Sequence, residues 1–137
     1  VESTIIDCTS DSPRILRPGA ITEEMIVAAS GSALSHVGNE IRVSGSLENH
    51  YAPEAKVVLD VSPQPGDGFI ALAATQTPAG VIRLAAPLTH EEFARILYSS
   101  LRSADQQKLA RVVVHQPPGD DIAVAIRDRL LRASHGR

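Results

Sequence analysis

The stretch that most constrains the fold lies between Val81 and Leu130. Residues 81–85 are strand-prone and, apart from Arg83, apolar. Thr89 follows as a helix cap, and Glu92, three residues on, completes a capping box. Phe93, Ile96, Leu97 and Leu101 recur at helical spacing, on one face of a helix predicted to run to about Ala104, or on to Gln107. Arg111–Val114 is short and β-branched, the composition of a strand buried on both faces in a parallel sheet. Pro117-Pro118-Gly119 breaks it. Asp120 or Asp121 is placed to cap a last helix with Ile122, Ala125, Ile126 and Leu130 on its apolar face. Strand, helix, strand, helix in this order predicts a right-handed parallel unit. Two more strands are expected before it, at 56–61 and 69–74, bounded by Ser62-Pro63-Gln64-Pro65-Gly66 and Thr77-Pro78-Ala79-Gly80. Residues 55–137 are therefore expected to form a small Rossmann-like α/β sandwich. No Gly-x-Gly-x-x-Gly follows any strand, so this outline predicts no dinucleotide.

Residues 1–29 follow a different logic. Thr4, Ile5 and Ile6 are strand formers, and Ile15-Leu16 is a second short apolar run, with the turn signal Asp11-Ser12-Pro13 between them. Arg17-Pro18-Gly19 is a rigid bend that leaves an arginine just past a strand end. Thr22 has the chemistry to cap a short helix, with Glu23 and Glu24 at its dipole-favoured start. Two short strands and one helix cannot bury a core alone. This stretch, which opens on a strand without an initiator Met, is expected to be the end of a larger unit with partner strands upstream. Residues 30–54 are polar and breaker-rich, with one short alternation at Ile41-Arg42-Val43, and read as an ordered linker.

Composition narrows the function classes. Apolar residues make up 43% of the 137, enough for a core, but aromatics only 3%, so that core must be aliphatic. Residues 1–54 carry 3 basic and 8 acidic side chains, and residues 55–137 carry 10 and 8. Neither part is basic enough to predict tight nucleic-acid binding from charge. Cys8 is single, which excludes an internal disulfide and suits a reducing compartment. No apolar run reaches membrane-spanning length and no signal-peptide pattern appears, so the expectation is a soluble cytoplasmic protein. His36, His50, His90, His115 and His135 are scattered without metal-ligand spacing, and no protein-bound metal is expected.

Several of these stretches carry a resemblance. Glu2-Ser3-Thr4-Ile5-Ile6-Asp7 followed by Ile15-Leu16-Arg17-Pro18-Gly19-Ala20-Ile21-Thr22 resembles the end of a YrdC-type catalytic domain. Residues 44–53, ending in His50-Tyr51-Ala52-Pro53, look like the linker of the two-domain form of that family, the threonylcarbamoyl-AMP synthases. Leu97-Tyr98, Leu101-Arg102 and 125–131 look like helices of its C-terminal domain. The resemblance divides the chain into a catalytic-domain remnant (1–29), a linker (30–54) and a C-terminal domain (55–137). It implies an enzyme that joins L-threonine, bicarbonate and ATP (with Mg²⁺), releases pyrophosphate, and serves threonylcarbamoyladenosine modification of tRNA. It implies that Ser3 contacts L-threonine, that Arg17 contacts ATP, and that Tyr51, with His50 beside it, reaches the nucleotide from a linker closing over the site. Many members carry a second tyrosine three residues earlier, where this chain has Glu48.

The chemistry of these residues is compatible with those roles. A small hydroxyl beside open backbone can donate to and accept from an amino acid. The planar guanidinium fork suits phosphate oxygens. A tyrosine stacks and hydrogen-bonds at once, as a lid requires. The residues alone also allow an ordinary strand-end Ser3, an Arg17 paired with Asp7 or Asp11, and a Tyr51 that anchors the linker to the C-terminal domain. Arg127, Arg129 and Arg132 read as a solvated helix face with Asp128, or as a surface for tRNA or a partner protein. The family's Lys-x-Arg motif does not occur here, so the chain alone is expected to lack synthase activity. Two other classes stay open. One is a regulatory or binding α/β module that gates the linker or docks RNA or modification proteins. The other is an independent protein whose first segment packs on a second copy.

Overall fold

The structure, a computed structural model, describes residues 1–36 and 52–135. The front of the chain is a two-stranded antiparallel sheet, β1 (Ile5–Asp7) and β2 (Arg14–Arg17), followed by α1 (Glu23–Ser30). The Thr22 hydroxyl accepts from the Met25 N–H at 3.3 Å and caps the helix as expected. Gly31, at φ 69°, ends it in the left-handed conformation and donates its N–H to the Val27 carbonyl.

The strands β3 (Lys56–Leu59), β4 (Gly68–Ile70), β5 (Ile82–Ala85) and β6 (Arg111–Val114) form one parallel sheet in the order β3-β6-β4-β5. β6 lies inside the sheet, and Val112, Val113 and Val114 are all fully buried. That is why its sequence is unbroken valine: both faces of the strand meet protein. The helices α2 (His90–Gln106) and α3 (Ala123–Ser134) connect and follow these strands. Phe93, Leu97, Leu101, Ile126 and Leu130 from the two helices share one cluster with Val57, Ile70, Val112 and Val114 from the sheet. The expected α/β sandwich is present, with both helices over one face.

Among the described residues, the buried cluster on the opposite face takes no side chain from a helix. Phe69, Ala71 and Val113 form its cluster, with Val81 against it. The His115 ring meets Phe69 edge-on at 4.8 Å, and the Arg83 guanidinium lies 5.0 Å above the same ring. Arg83 also donates to the carbonyls of Ala71, Leu72, Thr75 and Ala85 at 2.7–2.9 Å. One cation thus satisfies a turn of backbone that has left the sheet. This explains why the strand expected at 69–74 ends at Ile70. The strand expected at 56–61 likewise stops at Leu59, because Asp60 takes φ 55° and turns its carboxylate onto Gln116.

Helix starts also differ in detail. Thr89 accepts from the Glu92 N–H at 3.1 Å as expected, but the Glu92 carboxylate accepts from the Leu88 N–H rather than from Thr89. Ile122, not an aspartate, occupies the cap position of α3 and makes no side-chain cap bond. The Asp121 carboxylate reaches past it to the Ala123 N–H at 2.9 Å. At the far end of α2, Asp105 accepts from the N–H groups of Glu54 and Ala55 at 3.1 and 3.0 Å, which fixes the chain where it enters β3.

Candidate functional site

The segment carrying Ser3 passes under the bend at Arg17-Pro18-Gly19. A Cβ on Gly19 would lie 2.4 Å from the Thr4 nitrogen and 2.5 Å from the Glu2 carbonyl oxygen. Only glycine permits this crossing of two backbones. Arg17 Nε donates to the Ser3 carbonyl at 3.1 Å, and the Thr4 hydroxyl donates to the Ile21 carbonyl at 2.7 Å. The two residues singled out from the sequence, fourteen positions apart, are therefore brought together. Ser3 is exposed, whereas Arg17 is 8% exposed. Of the two partners that the residues alone suggested for Arg17, Asp7 pairs with Arg14 at 3.7 Å. His50 and Tyr51 lie outside the described residues.

The other side of the segment meets the C-terminal domain. The Glu2 carboxylate accepts from Tyr98 Oη of α2 at 2.9 and 3.0 Å and from Arg129 Nε of α3 at 2.7 Å. The Val1 nitrogen donates to the Ala94 carbonyl of α2 at 3.1 Å. Arg129 also donates to Asp128 at 2.7 Å, and Asp128 is shared with Arg132. Burial opposes the Arg129 charge, but the Glu2 and Asp128 carboxylates outweigh it and hold its pKa above the usual value.

The expected solvated arginine face on the last helix is thus corrected. Arg129 is 1% exposed, and Arg127 donates to the carbonyls of Pro117 and Gly119 at 2.8 Å. Both guanidiniums donate to groups of their own protein. Sequence reasoning assigned Glu2 and Tyr98 no role and placed Arg129 on a solvated face, so it missed their joint contact. The available signal was a tyrosine at the rim of an apolar helix face, a residue type that keeps a polar tip in search of a partner.

A cleft of about 630 Å³ lies between the front of the chain and the start of α3. Its apolar part includes Ile15, Ile21 and Val124, and its charged part is acid-rich: Glu23, Glu24, Asp120 and Asp121 against Arg14 and His36. Such a lining repels phosphate. Neither Ser3 nor Arg17 lines this cleft. At its edge His90 Nδ1 lies 2.8 Å from the Asp121 carboxylate. Burial pushes the Asp121 pKa up, but the Ala123 N–H and His90 prevail and hold it below the ordinary value. Among the described residues no group of three histidine, cysteine or acidic side chains could hold a metal, and no helix is long and apolar enough to cross a membrane.

A family model described as the C-terminal domain of threonylcarbamoyl-AMP synthase matches residues 21–135. The chain belongs to this family. It is 32% identical to the threonylcarbamoyl-AMP synthase of Bacillus subtilis, an alignment covering 100% of this chain and 46% of that protein. It is 28% identical to the synthase of Pyrococcus abyssi, over 98% of this chain and 46% of that protein. The crystal structure of P. abyssi Sua5 complexed with L-threonine superposes on 99% of this chain and 46% of its own, with a TM-score of 0.78 and 26% identity. A structure of the P. abyssi protein carrying two alanine substitutions superposes with a TM-score of 0.70 at 21% identity and supports the fold alone. The chain spans about half the length of the curated relatives it matches. Ser3 and Arg17 precede the family-model span but fall inside the alignment that covers the whole chain.

Proposed function

We propose that the chain works as the C-terminal half of a threonylcarbamoyl-AMP synthase. In the complete enzyme the L-threonine nitrogen attacks the carbon of bicarbonate, water leaves, and an N-carboxylate forms. The new carboxylate attacks the α-phosphate of ATP, pyrophosphate leaves, and the adenylate serves threonylcarbamoyl modification of tRNA in the cytoplasm. The reaction is a nucleotidyl transfer, and its Mg²⁺ arrives with ATP as part of the substrate. The observation that carries this reading is the crossing of Glu2-Ser3-Thr4 with Arg17-Pro18-Gly19, in a chain whose alignment with a synthase covers both motifs.

In this reading Ser3 offers its hydroxyl to L-threonine. Arg17 supplies positive charge where the phosphates lie, offsetting charge that develops in the transition state. Tyr51 closes the linker over the nucleotide. Residues 1–29 belong to the catalytic domain, 30–54 to the linker, and 55–137 to a domain that supports rather than performs the chemistry. A polypeptide of these 137 residues alone is inactive.

The test is pyrophosphate release by the complete enzyme, assayed with and without threonine and bicarbonate. Release is expected to need both, to be abolished by Arg17→Ala, and to be only partly lost when the chain is cut after Pro53. Release that ignores threonine, or an Arg17→Ala enzyme with full activity, overturns the reading.

A further inference from the structure

We propose that Tyr98 and Arg129, acting through the Glu2 carboxylate, are positioning residues for the amino-acid substrate. The C-terminal domain thereby sets the place of Ser3 without touching the substrate. The inference rests on the reading of Ser3 as the threonine contact.

Three observations carry it. First, Glu2 is the immediate neighbour of Ser3, so the two α-carbons are locked about 3.8 Å apart across one planar peptide. Second, the segment is gripped from two sides. The bend of Arg17 and Gly19 presses on the backbone of residues 2–4 so closely that a single methyl group would collide with it. From the other side α2 and α3 reach in, with Tyr98 Oη and Arg129 Nε both on Glu2. A segment held by two jaws transmits the shift of either jaw to the residue between them.

Third, the Glu2–Arg129 pair is a poor device for stability alone. The Arg129 side chain is fully buried, and its Nη2 has no hydrogen-bond partner among the described residues. Burying a guanidinium with one unmet donor costs free energy that an apolar side chain of similar size would avoid. What the pair supplies instead is geometry. A planar fork fixed by Asp128 on one side presents a single direction to Glu2.

The test uses the complete enzyme and steady-state kinetics with threonine and ATP varied separately. Tyr98→Phe removes one hydroxyl and keeps the ring. Arg129→Lys keeps the charge and loses the fork. Tyr98→Phe is expected to raise KM for L-threonine roughly five-fold and Arg129→Lys more than ten-fold, with KM for ATP changed less than about two-fold. Ser3→Ala is expected to raise the threonine KM as well. Adding Tyr98→Phe to Ser3→Ala is expected to give less than the product of the two effects, because the groups act on one contact.

Equal rises in both KM values, or a lowered melting temperature with both KM values unchanged, would show a merely structural role and overturn the proposal. If Ser3→Ala raises the threonine KM while both C-terminal variants leave it unchanged, the positioning inference fails and the site reading survives. If Ser3→Ala itself has no effect on threonine, the site reading fails and takes this inference with it. Should Arg129→Lys not fold, Tyr98→Phe decides the matter, since it deletes no apolar volume.

Discussion

Among the described residues 1–36, Ile26 is the one buried apolar side chain, while Ile21 and Met25 are each 53% exposed. Residues 52–135 instead bury a continuous aliphatic set that runs from Val57 through Leu97 to Leu130. The two regions are ordered by different means. The larger one closes its own core, so its stability comes chiefly from apolar burial. Apart from Val1, which packs against that core, the front region is held by discrete hooks: the Gly19 crossing, the Arg17 and Thr4 bonds, and the grip of Tyr98 and Arg129 on Glu2. A region held by hooks can be detached by single substitutions that leave the core intact, and a region held by a core cannot.

The largest effect is therefore expected in the core. Phe93 is fully buried where α2 meets the sheet. Phe93→Ala is expected to cost about 3–5 kcal/mol, read as a shifted midpoint in denaturant unfolding. Ile26→Ala, by contrast, removes a side chain that belongs to neither apolar cluster of the described residues and should shift the same midpoint far less. Equal shifts would mean that the front region shares the core, and the contrast would be lost.

Gly19→Ala comes next. The added methyl meets three backbone atoms at 2.4–2.6 Å, none of which can swing aside as a flexible side chain would. Overpacking of this kind costs about 1–3 kcal/mol, and here it falls on the crossing rather than on the core. Amide hydrogen exchange is expected to accelerate at Ile5–Asp7 and Arg14–Arg17 while β6 keeps its protection. Uniform acceleration across both regions would instead tie their unfolding together.

The same division decides what could be read from the sequence. Elements built on periodicity were legible: the α2 face, the valine run of β6 and the Thr22 and Thr89 caps stand where their patterns placed them. Strand ends were not, because Asp60 and Arg83 terminate β3 and β4 through side-chain bonds, to Gln116 and to the Ala71 carbonyl, that no periodicity encodes. The Ser3–Arg17 pairing was legible only through a motif, since no local pattern says that two backbones cross. Glu2, Tyr98 and Arg129 were illegible for the same reason. Their partners lie 96 and 127 positions apart, and an arginine on a helix shows the same letter whether it faces water or a buried carboxylate.

The smallest expected effect separates the regions by pH. In the sheet domain, Asp67 is 8% exposed and accepts from Arg111 Nε and Nη2 at 3.1 and 2.6 Å and from the Gln64 N–H at 2.8 Å. The Arg111 hydrogen bonds outweigh burial and hold its pKa below the ordinary 3.8. In the front region, Asp7 is also held below 3.8, chiefly by the Thr9 hydroxyl and N–H, with Arg14 contributing least. A carboxylate with a depressed folded-state pKa stabilises the fold fully above its unfolded value. That contribution drains away as pH falls through the folded value. Asp67→Asn is therefore expected to lower unfolding stability at neutral pH and to converge with the unsubstituted protein below pH 3.8. Asp7→Asn should leave global unfolding nearly unchanged at every pH, because the interactions it weakens, with Thr9 and Arg14, lie within one hairpin of the front region. If both variants show the same pH-dependent gap, the front region contributes to the cooperative unit, and its hooks bind it to the core more tightly than its sparse burial implies.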